Sequence, residues 1–127
     1  MIGYVMVGTN DIERARKFFD AVFGEIGAKR GWDNERMTGW GTGKGPSVMV
    51  VKPYDGKAAT AGNGSMIALA VATPEDAQKM HAKALALGGK DEGAPGFRGG
   101  DTSGFYGAYF RDLDGNKFVA FCMVPKK

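Results

Sequence analysis

The sequence predicts an α+β fold made of two βαβββ modules, and three observations carry that prediction. A helix-opening motif occurs twice, as Asn10-Asp-Ile-Glu13 and Thr73-Pro-Glu-Asp76, each time after a strand-like apolar run. The shift that lays Asp11 on Thr73 also lays Glu13 on Glu75, Ala15 on Ala77, Lys17 on Lys79 and Tyr4 on Met66. A repeat of this length in two copies is a duplicated motif and not a unit of a stacked array. Finally, two apolar runs flank Asp112-Leu-Asp-Gly-Asn116 near the end of the chain. Asp-Gly between strand-like runs signals a hairpin, because glycine takes positive φ without penalty.

Taken in order, Gly3 to Gly8 reads as a strand with both faces covered, since Tyr4, Val5, Met6 and Val7 are apolar and strand-compatible. Asn10 or Asp11 caps the helix that follows, and Glu13 stands where a capping box prefers an acid. Ala15, Phe18, Phe19, Val22, Phe23 and Ile26 recur at three- and four-residue steps and form its apolar face, and Gly27 stops it. Short strands are expected near Ala28–Trp32, Arg36–Gly41 and Ser47–Lys52. Gly41-Thr-Gly-Lys-Gly45 is superficially like a phosphate loop. Lys44 precedes glycine rather than Ser or Thr, however, and the stretch lies between strands, so it reads as a hairpin end.

Pro53 to Gly64 is rich in Gly, Ala and Thr and marks the midpoint. The chain thus reads as one domain, with a first module over residues 1–53, a linker over 54–64 and a second module over 65–127. Ser65 to Val71 is the next strand. Thr73 caps the second helix, with Pro74 at its first position and acids in its first turn. Ala77, Met80, Ala84 and Leu87 supply its apolar face, and Gly88-Gly89 end it. Lys90 to Gly104 reads as a long polar loop, and Phe105–Arg111 and Asn116–Val124 as the closing hairpin.

The 127 residues are 43% hydrophobic and 24% charged, enough to bury a core without staples. The net charge of +3 comes from scattered Lys and Arg, with no stripe of the kind a nucleic-acid partner needs. The longest apolar run, Met66 to Ala72, is too short to span a bilayer, so no membrane partner is expected. One cysteine, Cys122, precludes an intrachain disulfide and reads as a small buried hydrophobe. With no basic leader before the first strand, the cytoplasm is the expected location.

Val7-Gly-Thr-Asn-Asp-Ile-Glu-Arg-Ala-Arg-Lys-Phe-Phe19, Ala84-Leu-Ala-Leu-Gly-Gly89 and Arg111-Asp-Leu-Asp-Gly-Asn116, in that order and spacing, resemble the glyoxalase/bleomycin-resistance/dioxygenase superfamily, also called vicinal oxygen chelate proteins. The resemblance covers essentially the whole chain. It implies that the two modules form a curved mixed sheet around a cavity, and that two chains pair as a homodimer. It also implies a divalent metal that chelates adjacent substrate oxygens, with His, Gln or Glu ligands on the first and last strands of each module. Those positions fall here on Tyr4, Met66, Val119 and, to within a residue, Met49, with Val48 and Val50 beside it. None offers the carboxylate, carbonyl or imidazole that hard ions want, and a lone Tyr4 phenolate would not hold a metal. His81, the only histidine, reads as a packed helix residue. No metal or other cofactor is therefore expected.

Strand alternation completes the expected pocket. Tyr4 brings Met6 to the inner face, Val119 brings Lys117 and Phe121, and the resemblance turns Tyr109 inward. Trp40, Met49 and Met66 join them, while Trp32 and Trp40 have no parity that the sequence settles. Gly93-Ala-Pro-Gly-Phe-Arg-Gly-Gly100 would be a lid presenting Arg98 to an anionic ligand. Such a pocket suits a small, partly aromatic or apolar molecule bound without metal. The alternatives are a lyase, isomerase or dioxygenase-type enzyme, using a metal or Tyr4, Tyr109 or Lys117 as acid–base groups, and a domain whose role is dimerisation.

Overall fold

The computed structural model describes residues 1–99 and 104–125. Its elements are β1 (Tyr4–Gly8), α1 (Ile12–Gly24), β2 (Lys29–Asp33), β3 (Met37–Gly41), β4 (Ser47–Val51), β5 (Ile67–Ala70), α2 (Pro74–Ala86), β6 (Lys90–Arg98), β7 (Phe105–Arg111) and β8 (Lys117–Met123). They form two four-stranded sheets, ordered β1-β4-β3-β2 and β5-β8-β7-β6. In each sheet the first strand runs parallel to the last, and the others pair antiparallel. The architecture is the α+β arrangement of two βαβββ units that the repeat predicts.

Lys90 to Arg98 is a strand and not a loop. Its Gly- and Pro-rich sequence has no strand period, but β7 supplies the hydrogen-bonding partner, and the register slips at Asp91/Gly93 and again at Gly93/Gly96. Pro95 falls inside the second slip and on an edge strand, where a missing N–H costs no ladder bond. The lid expected over residues 93–100 is therefore largely sheet edge, and Gly100 lies outside the described residues.

The caps follow local chemistry. Asp11 accepts the Arg14 backbone N–H at 3.1 Å, and Thr73 accepts that of Asp76 at 3.2 Å. Asn10 does not cap. Its side-chain amide clamps the linker instead, accepting from the Ala59 N–H and donating to the Ala59 carbonyl.

The core lies between the helices and the sheets. Phe118 on β8 stands against Phe19 and Phe23 of α1 with centroids 5.6 and 6.5 Å away, and Phe19 also meets Trp40 of β3 at 5.6 Å. One aromatic cluster thus spans both modules. The β7–β8 turn makes a second junction. Asp114 accepts from the Thr9 hydroxyl at 2.5 Å, the Asn10 backbone N–H at 2.9 Å and Arg14 at 3.2 Å. Asn116 donates its side-chain amide to the Gly8 carbonyl at 2.9 Å. Gly115, at φ +86°, makes the turn possible. No helix among the described residues is long and apolar enough to cross a membrane.

Candidate functional site

Each sheet turns one face to the helices, and the other face of the first sheet forms a cavity of about 960 Å³. The register builds it in cross-strand rows. Tyr4 pairs with Ser47 and Gly41 with Lys29, and Ser47 stands against Gly41, so the four lie side by side across β1, β4, β3 and β2. One pleat along, Met6, Met49, Gly39 and Trp32 do the same, and Met37 borders the cavity further along β3. The sequence Gly39-Trp40-Gly41 explains this division. Alternation sends Trp40 to the helices and leaves both glycines on the cavity side. Of the residues expected from sequence, Tyr4, Met6, Trp40 and Met49 border this cavity.

Trp40 does not offer its ring to a ligand. It is 2% exposed, packed against Phe19 and Phe23, and donates its indole N–H to Asp20 at 2.9 Å. Trp32 is the exposed tryptophan on the cavity side, at 58%. The register irregularity between Arg30 and Trp32 sets its direction, which simple alternation could not supply.

The remaining expected residues lie on the second sheet. Tyr109 sits beside Val119, and Lys117 and Phe121 share their face. The Arg98 and Lys117 cations stand 5.4 and 5.6 Å from the Tyr109 ring centre, within cation–π range. Arg98 is not held out towards a ligand. It folds back across Gly93 and Gly96 and donates to the Ala94 carbonyl at 2.5 Å and the Phe97 carbonyl at 3.3 Å. Val119 faces the expected way but is only 1% exposed, so it lines no open space. Gly107 lies beside it, and Phe105 stacks on Phe121 at 5.2 Å. Met66 precedes β5 and is 46% exposed, outside the first-sheet cavity. The structure thus divides the expected pocket between two faces.

The donor set does not fit a hard divalent ion. Met6 is the direct neighbour of Met49 and Ala68 that of Val119, so the residues beside the closing positions offer no hard ligand either. Among the described residues no three of His, Cys, Asp and Glu come together where they could hold a metal ion. His81 is buried on α2 and bonded to Asp91 at 2.9 Å.

Ion pairs brace both sheets. Hydrogen bonds from Arg30 hold the Asp20 carboxyl below its ordinary range, with the Trp40 indole adding to the effect against a cost of burial. Glu92 is likewise lowered, chiefly by the Arg111 guanidinium bonded to it at 2.6 Å. Folded values below the unfolded ones mean stability that is present at neutral pH and lost as pH falls through the folded values, below about pH 4. Asp112 works in the opposite sense. Burial raises its pKa, so its cost is relieved as pH falls through its folded value. Melting temperature should decline between about pH 5 and pH 3. Asp20→Asn should flatten that decline while lowering the neutral-pH value, and an identical acid limb would argue against the pairing.

With two βαβββ units, a concave first sheet and the Asp-Gly turn docked on the first strand, the fold belongs to a recognisable class. The family model for the Glyoxalase/Bleomycin resistance protein/Dioxygenase superfamily matches residues 1–120. The chain belongs to that superfamily. A glyoxalase/bleomycin resistance protein from Albidiferax ferrireducens is 38% identical with a TM-score of 0.87, over 96% of this chain and 98% of that one. A glyoxalase/bleomycin resistance protein/dioxygenase family enzyme from Burkholderia phytofirmans shares the fold at 21% identity and TM-score 0.75, covering 96% and 98%. So does the fosfomycin resistance protein FosX from Mesorhizobium loti, at 19% and 0.66, covering 96% and 90%. No curated protein matches the chain.

Proposed function

We propose that this protein binds a small, partly aromatic or apolar molecule on the concave face of its first sheet, without a metal. The cavity of about 960 Å³ carries the reading, because it is walled by Tyr4, Met6, Trp32 and Met49 and floored by glycine. Thioethers adapt their shape and aromatic rings give a flat contact surface, which together favour a planar apolar ligand. The protein acts as a cytoplasmic homodimer. Both sheets leave large apolar side chains exposed, among them Tyr4 and Met6 on the first and Met123 on the second. A partner's second sheet, with Tyr109 and Lys117, would then close over the first-sheet cavity.

A second reading rests on Tyr109, whose ring is flanked by Lys117 and Arg98. A tyrosine and a lysine side by side can exchange a proton with a bound substrate, so the same face would serve a metal-free lyase or isomerase. Elemental mass spectrometry on protein purified without chelator or His tag separates the metal-free readings from a metal enzyme. Less than stoichiometric metal is expected, with a melting temperature unchanged by chelator. About one transition metal per chain would overturn the binding proposal. A turnover that Tyr109→Phe abolishes would favour the second reading.

A further inference from the structure

We infer that the ligand of the first-sheet cavity is a planar aromatic ring bearing an anionic group at one end. The inference rests on the binding reading above and deepens it. β3 contributes no side chain at two successive cavity positions, Gly39 and Gly41. Neither glycine has a left-handed backbone, so neither is there for a turn. Their effect is to open a trough along the strand, floored by backbone. Trp32 and Lys29 wall it on the β2 side, and Met49 and Ser47 on the β4 side. A Cβ at Gly39 would stand 3.3 Å from Met49 Cγ and 3.6 Å from Trp32 Cβ. The trough is therefore narrow, and a flat ring fits it better than a bulky branched group.

The two ends of the trough differ chemically. At the Gly39 end the walls are thioether and indole. At the Gly41 end they are the Ser47 hydroxyl, the Tyr4 phenol and the Lys29 ammonium. Among the described residues Lys29 has no ion-pair partner, whereas the adjacent Arg30 is bound to Asp20 and Asp33. The cation left for a ligand thus stands at one end only, beside two hydroxyl donors. A carboxylate or sulfonate on the ring edge would take that end, with the ring lying over Gly39.

Three probes of one shape test this by calorimetry and by quenching of Trp32 fluorescence: naphthoate, the neutral naphthylmethanol and the cationic naphthylmethylammonium. Naphthoate should bind about threefold to fivefold more tightly than the alcohol, the range an exposed ion pair allows, and the cation should bind worst. Lys29→Glu should invert that order. Gly39→Val should weaken all three about tenfold or more by filling the trough, and a β-branched residue suits a strand. Gly41→Val, which meets Ser47 Oγ at 3.0 Å, replaces it if Gly39→Val does not fold. Equal affinities, or an order that Lys29→Glu leaves unchanged, overturn the anionic class while a glycine effect keeps the cavity. No binding by any probe, or binding that neither valine disturbs, overturns the cavity reading and this inference with it.

Discussion

Phe118→Ala should lower stability by about 3–5 kcal/mol and the melting temperature by about 10–20 °C. Phe118 is fully buried and touches three rings: Phe110 at 5.6 Å, Phe19 at 5.6 Å and Phe23 at 6.5 Å. Truncation removes a large apolar surface from the core. The surrounding rings are set on two separate elements, α1 and β7, so they close only partly over the gap. Because Phe19 and Phe23 belong to the first module and Phe118 to the second, the loss should be felt across both. Denaturant unfolding should remain one transition at a lower midpoint, with probes in both modules moving together. The pair Phe118→Ala and Phe19→Ala should be less damaging than the sum of the two, since they share one contact. A loss below about 1 kcal/mol, or separate transitions for the two modules, would show that the aromatic cluster does not couple them.

Asp114→Ala should cost about 2–3 kcal/mol, which is unusual for a turn residue. Its side chain is 3% exposed and receives three donors from the start of the first helix. Removing it leaves those donors unequally placed. Arg14 is 45% exposed and can return to water, and the Thr9 hydroxyl also stands 3.1 Å from the Asp11 carbonyl. The Asn10 backbone N–H has no such second acceptor among the bonds that hold this junction. The loss is therefore smaller than for a fully buried ion pair, but well above that for a surface one. Asp114→Asn keeps an acceptor and should recover about half of the loss. Hydrogen exchange at Asn10 should quicken in the alanine variant. Unchanged exchange there would mean the turn does not hold the modules together.

These two residues also mark where sequence reading succeeds and where it stops. Strand alternation turns Phe118 to the helices once the resemblance to the superfamily sets Val119 inward. The Asp-Gly turn was readable as a turn, yet nothing local indicates that Asp114 reaches across the chain to Thr9, Asn10 and Arg14. The same holds for Asn10, which has the chemistry of a cap and is used instead to clamp the linker at Ala59. Local chemistry names what a residue can bond to, whereas the packing of the modules chooses among the partners.

The sequence by itself determined the two helices, with a cap at Asn10 or Asp11 and another at Thr73, the closing hairpin, the duplication, and side chains without carboxylate or imidazole at Tyr4, Met49, Met66 and Val119. These depend on spacing, propensity and side-chain type, all of which act within a few residues. Only the tertiary structure decided that Lys90–Arg98 is a strand, because an edge strand with a proline in its bulge exists through its partner's hydrogen bonds. It also decided that Trp32 rather than Trp40 faces the cavity, because a register irregularity resets the alternation. Finally, it decided that Val119 is covered and Arg98 folded back, because burial is set by what other strands bring alongside.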